Sequence, residues 1–190
     1  VSAQGAGHPD LSYRFEYVLD PDDDNLASIG PYGLAVLMPR VQSHPPAALA
    51  QHDPEIELAV ASGDRKTVDM TIEYYDTLSL HDDEVTPARY FFTESGIYAI
   101  TGHVRWARAD SGRRMIVLLQ NGVGVLAKAQ VVCPASAPNA VFQTVSTIGS
   151  FDRGWWTELA IEQASGAVLP LEVNANSYSA SLSVCRLGHR

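Results

Sequence analysis

Apolar and polar residues alternate with a period of two along most of this chain, and no long window holds a 3.6-residue period, so the pattern predicts β-strands and not helices. The plainest case is Ser177 to Val184, where Tyr178, Ala180, Leu182 and Val184 fall on one face and the serines, followed by Cys185, on the other. Ile97 to Trp106 sets Tyr98, Ile100, Val104 and Trp106 against Thr101, His103 and Arg105, with Gly102 where the backbone can be approached closely. Met115 to Gln120 is a buried run, Asn121-Gly122 is the favoured two-residue hairpin signal, and Val123 to Val132 returns as its partner. Thr67 to Tyr75, Val141 to Ile148, Trp155 to Gln163 and Val168 to Val173 complete a set of short strands, with turn formers at Gly149, Gly154 and Ser165-Gly166. That spacing means a sandwich or a barrel.

The first third has another character. Tyr13, Phe15, Tyr17 and Leu19 alternate like a strand, Pro21 to Asn25 is a turn, and Gly33 to Met38 is a short apolar run. His44-Pro45-Pro46 and His52-Asp53-Pro54 then interrupt the pattern. Residues 1–66 are therefore expected to form a docking arm or small irregular module, and residues 67–190 the β domain, with the boundary near Ser62-Gly63-Asp64.

Composition narrows the class. A hydrophobic fraction of 46% with 18% charged residues suits a globular chain and fits neither a disordered nor a membrane-spanning one. The net charge of −9 repels phosphate backbones, so nucleic acid is not an expected partner, and no apolar run is long enough to insert in a membrane. The densest basic spot, Arg113-Arg114, reads as a solvated hairpin tip. Eleven Arg against Lys66 and Lys128 alone suggests a GC-rich coding genome and points to a bacterial or phage source. Val1 to His8 lacks both a basic region and an apolar core, so no signal peptide is expected in the residues given.

Candidate chemistry is sparse. Gly122-Val123-Gly124-Val125-Leu126-Ala127 spells the dinucleotide fingerprint, but its flanks alternate as strands, Pro134 ends the segment early, and no acid follows about twenty residues on. No GxSxG or HExxH motif occurs, and Cys133 and Cys185 match no metal pattern; two thiols are favoured over one disulfide. Paired carboxylates such as Glu158 and Glu162 fall on an outward face. Asp20, Asp22 and Asp24 are candidate Ca²⁺ oxygens, but the EF-hand grammar fails for want of its glycine and its closing glutamate, so an acidic turn is the favoured reading. The same holds for His81-Asp82-Asp83-Glu84. No enzyme activity and no cofactor are expected.

From Tyr90-Phe91-Phe92 through Gly96-Ile97-Tyr98 to Val104, the chain resembles the globular head of complement component-1q, within the tumour-necrosis-factor-like jelly-rolls. The likeness continues through the Asn121-Gly122 hairpin, the apolar strand Phe142 to Ile148, the turn Asp152-Arg153-Gly154-Trp155 and the closing run Tyr178 to Gly188. The resemblance implies an all-β jelly-roll sandwich from about Ile72 to Gly188 and a compact homotrimer. The turn reads Asp-Arg-Gly where the family has Gly-Asp, and no collagen repeat precedes the head. That departure fits stalkless bacterial or bacteriophage types.

The expected function is a structural and recognition protein of a phage virion, a tail part or capsid decoration. Its N-terminal arm would dock it to the particle, and its head would meet a cell-surface glycan or protein. A secreted or surface lectin-like module and a hydrolase on a β-sandwich are the rivals. Trp155, Trp156, Tyr178, Ser181 and His103 are the expected interface residues: the tandem tryptophans must face opposite ways, one filling the core with Leu159 and Ile161 and the other covered by a neighbour.

Overall fold

In the computed structural model, residues 46–108, 112–133, 140–172 and 179–189 are described in full, together with the backbone of 27–30 and 33–36. The chain divides into two units, 1–43 and 44–190. In the first, β1 (Ala27–Gly30) and β2 (Gly33–Val36) form an antiparallel hairpin. The remainder of that unit, with the expected strand at Tyr13 to Leu19 and the Ca²⁺ candidates Asp20, Asp22 and Asp24, lies outside the described residues.

The second unit is built from strands β3 (Ala47–Gln51), β4 (Ala59–Val60), β5 (Arg65–Thr67), β6 (Ile72–Asp76), β7 (Tyr90–Phe91), β8 (Gly96–Trp106) and β9 (Gly112–Gln120). It continues with β10 (Gly124–Cys133), β11 (Val141–Phe151), β12 (Trp156–Ala164), β13 (Leu169–Pro170) and β14 (Ala180–Gly188). Sheet I runs β11-β8-β14-β3-β6; sheet II runs β10-β9-β12-β5, with β7 also on β12; β4 and β13 pair apart. All pairings are antiparallel. The fold is an all-β sandwich of jelly-roll type, in which consecutive strands repeatedly change sheets.

The expected boundary between residues 66 and 67 gives way to one at 43/44, because β3 is an interior strand of sheet I. It pairs with β14 from Ser181↔Gln51 to Cys185↔Ala47 on one side and with β6 on the other. Ala48 and Ala50 point into the core, as do Leu58 and Val60. The expected strand Thr67 to Tyr75 divides as well: β5 joins sheet II and β6 joins sheet I, and the crossing carries Val68 and Met70, both fully buried, through the core.

The inward parity of β14 is as expected for its described residues, with Ala180, Leu182 and Val184 in the core; Tyr178 lies outside the described residues. Gly102 faces inward too, where a Cβ would stand 2.7 Å from a Leu159 methyl, so the missing side chain lets sheet II close on β8. Asn121 and Gly122 both have positive φ, 50° and 75°, as a tight primed hairpin turn requires. Asn121 Oδ1 accepts from the Trp156 amide at 3.0 Å, tying that turn to the neighbouring strand.

Two polar bolts cross the sandwich. The Tyr90 hydroxyl, on β7 of sheet II, donates to Leu182 O of sheet I at 3.0 Å. Trp106 Nε1 donates to Gln143 Oε1 at 2.6 Å, and Gln143 Nε2 donates in turn to Arg114 O and Ala129 O of sheet II, each at 3.2 Å. Buried polar groups held this way fix the relative position of the sheets, because an unmet partner inside costs about 1 to 3 kcal/mol. Burial pushes the Tyr90 phenol far above its ordinary value.

Neither expected tryptophan fills the core. Trp155 lies in the turn before β12 and is 37% exposed, while the inward positions of β12 are Thr157, Leu159 and Ile161. Trp156 faces outward, half-buried, its ring centroid 6.0 Å from that of Phe91 and 5.0 Å from the Arg89 guanidinium. The core tryptophan is Trp106, fully buried.

Candidate functional site

Each sheet has an outward face, and the two differ in how they treat charge. On sheet II, Met115, Val117, Leu119 and Ala160 form a second apolar cluster. Around it several charges are paired: Arg113 Nη2 and Arg65 Nη2 lie 2.5 and 3.2 Å from the two oxygens of Glu162, and Arg89 Nε lies 3.8 Å from Glu158. Glu158 is 6% exposed, and burial holds its carboxyl above the ordinary carboxylate range, against the pull of Arg89.

That shift has a checkable sign. A carboxyl whose folded-state pKa exceeds its unfolded one favours the protonated form on folding, so its unfavourable effect is full above the folded pKa and fades as pH falls toward the ordinary glutamate value. Glu158→Gln should therefore melt higher than the wild type near neutral pH, and the difference should shrink on acidification. Thermal melts of both proteins across that window test it; a constant difference would show that Glu158 is not the group responsible.

Sheet I is built differently. Register places its outward side chains in rows: Thr144, His103, Ser181 and Gln51 in one; Ser146, Thr101, Ser183, Leu49 and Tyr75 in the next; Ile148, Ala99, Cys185 and Ala47 in a third. Hydrogen bonds knit the rows, with Thr144 Oγ1 2.8 Å from His103 Nδ1 and Thr101 Oγ1 3.1 Å from Ser146 Oγ. Across the end of the first row, Arg105 lies 4.7 Å over the ring of Phe142 and is held by Glu172 at 2.5 and 2.9 Å.

The outer strands carry large side chains and the middle ones small ones. Tyr74 and Tyr75 of β6 and Phe142 of β11 are 49%, 47% and 68% exposed, and Ile148 is 67% exposed. Between them lies a groove of about 510 Å³ lined also by Leu49, His103, Thr144, Ser181 and Ser183. No Asp or Glu occupies an outward position on β3, β8, β11 or β14, in a chain of net charge −9.

Of the expected interface residues, His103 and Ser181 stand opposite one another in register on this face. Trp156 is on the outward face of sheet II and Trp155 in a turn, so these four do not form one patch. Tyr74, Tyr75 and Phe142 were not singled out from the sequence. The signal for Phe142 was its parity with Thr144 and Ser146, which marks it as an outward aromatic.

The other described side chains of chemical interest serve local structure. The ring nitrogens of His52 lie 2.8 Å from Asp69 O and 2.9 Å from Ile56 O, and His81 Nε2 lies 3.0 Å from Pro87 O with its ring stacked on Tyr90 at 4.4 Å. Cys133 and Cys185 are unbonded. Among the described residues, no three His, Cys, Asp or Glu side chains group as a metal site. No helix among them is long and apolar enough to cross a membrane.

No family model matches the chain, and no curated protein matches it. Solved structures do, among them the globular domain of zebrafish complement 1qA protein, at 11% identity, covering 76% of this chain and 99% of that one with a TM-score of 0.47. The sandwich assignment itself rests on the sheet registers above.

Proposed function

We propose that residues 44–190 are a non-enzymatic recognition head that assembles as a homotrimer through the outward face of sheet I. Residues 1–43 join that head to a larger assembly, a bacteriophage particle in which the protein is a tail component or capsid decoration. The observation that carries the self-association reading is that four of the five strands of this sheet, β3, β8, β11 and β14, hold no Asp or Glu, and that Glu172 beside them is bound to Arg105. Copies of a chain with net charge −9 repel one another over most orientations, and this is a surface on which few unpaired carboxylates would oppose each other. It also offers what interfaces favour, exposed aromatic rings beside a valley of Ser, Thr and Ala that permits close approach.

Sedimentation equilibrium of the full chain at micromolar concentration tests this. The expected mass is three times 20.6 kDa, and a monomer throughout overturns the reading. For the virion role, the chain should appear in stoichiometric amount by mass spectrometry of purified particles, and its absence from them removes that role. The hydroxyl-lined, aromatic-walled groove favours one rival, a secreted or surface lectin-like module. Saturable glycan binding by a chain that stays monomeric would favour that rival.

A further inference from the structure

We propose that assembly through sheet I is switched by protonation of His103, an inference that rests on the self-association reading above. Histidine is the side chain whose ordinary charge change falls between pH 5 and 8. His103 is exposed and central to the face, between Thr144 on β11 and Ser181 on β14.

The groups around it decide what a positive charge there would meet. From β11 it meets Phe142 and Thr144, and from β14 Ser181 and Ser183, with the Cys185 thiol one row further. From β3 and β6, Leu49, Tyr74 and Tyr75 line the same groove, and Gln51 lies in its row beyond Ser181. Glu73 on β6 pairs instead with His81, and both Asp76 oxygens are taken by the amides of Leu78 and His81. On β8 itself the next outward residue is Arg105, a second cation, and its carboxylate partner Glu172 is already engaged. Among the described residues, no carboxylate on this face is therefore free to receive an imidazolium.

In the separate chain the ring is exposed, with Thr144 Oγ1 2.8 Å from Nδ1 and water able to reach the remainder. Covering the face removes that water, and a homotypic contact brings further copies of His103 and of the Arg105–Glu172 pair, with no unengaged acid among the described residues. A cation taken from water without a partner is strongly disfavoured, so the neutral ring is the form the assembly takes up, and acid works against association.

Sedimentation of the full chain at pH 7.5 and 5.5, with His103→Gln and His103→Arg alongside, tests this. The wild type should associate at pH 7.5 and weaken by at least about tenfold at pH 5.5. The Gln variant should associate equally at both values, and the Arg variant, with a permanent charge, should be dissociated already at pH 7.5. Equal association of the wild type at both values, or an Arg variant that assembles like the wild type, overturns the switch while leaving self-association standing. A wild type that is monomeric at pH 7.5 overturns both.

Discussion

A chain shortened to residues 67–190 is expected to lose its cooperative unfolding transition, whereas residues 44–190 keep theirs. The shorter chain lacks β3, which lies between β14 and β6. Without it β6 has no strand partner, and β14 becomes an edge with its inward Leu182 and Val184 stripped of the Ala48 and Ala50 backbone beside them. Leu58 and Val60 leave the core in the same cut, as does the His52 ring that links Asp69 to Ile56. Burying four apolar side chains fewer, with the groove wall at Tyr74 and Tyr75 set loose, removes an amount comparable with the whole stability of an ordinary domain, which is about 5 to 15 kcal/mol. Near-UV circular dichroism and thermal melts of the two fragments decide it. A sharp transition in 67–190 matching that of 44–190 would mean that β3 is peripheral and the sheet order of the fold is wrong.

That cut was not evident in the sequence, for a physical reason. Ala47-Ala48-Leu49-Ala50-Gln51 has almost no hydrophobic contrast between its two faces, and alanine is a poor strand former, so neither periodicity nor propensity marks it. Its place is dictated by neighbours in register, β14 and β6, which are distant in sequence. The strands from β8 to β12 were legible because their contrast is strong and their turns carry the right residues. Asn121-Gly122 is the best instance, where both positive φ values fall on the two residues best suited to them.

Alternation also misled in one direction. From Thr67 to Tyr75 it runs on without a break, yet the chain changes sheets inside it. Val68 and Met70 alternate because the segment crosses a buried core, so the period of two there reports burial and not pairing. Over its described residues the run from Val168 is a strand only at Leu169–Pro170, paired with β4; Pro170 has no amide to donate, and Leu171 beyond it changes partner to Trp106 in an isolated bridge. The interaction face shows the same division. Parity along each strand told which residues share a side, as for Ser181 and His103, but only the order β11-β8-β14-β3-β6 sets Phe142 and the Tyr74-Tyr75 pair on opposite walls of one groove.

Leu182 and Ser181, adjacent in sequence and opposite in orientation, give the test with the sharpest contrast. Leu182 is fully buried between the sheets, and its carbonyl receives the Tyr90 hydroxyl. Leu182→Ala removes methyl and methylene groups from a packed interior and leaves a cavity that the strands on either side of β14 cannot close, which costs about 2 to 5 kcal/mol. Ser181 lies on the outward side, in the valley of the groove beside His103 and Gln51. Ser181→Ala deletes one hydroxyl from a small site and should cost under about 1 kcal/mol. Ser181→Trp adds a large ring that can turn outward over the groove, so each chain should keep its fold, while copies that must approach closely there are held apart. Denaturant melts and sedimentation of the three variants separate the outcomes. Leu182→Ala should unfold early and assemble only where folded, Ser181→Ala should match the wild type in both measurements, and Ser181→Trp should be a stably folded monomer. Equal destabilisation by Leu182→Ala and Ser181→Ala would mean that the faces of β14 are assigned the wrong way round. A Ser181→Trp chain that still sediments as a trimer would move the subunit contact off sheet I.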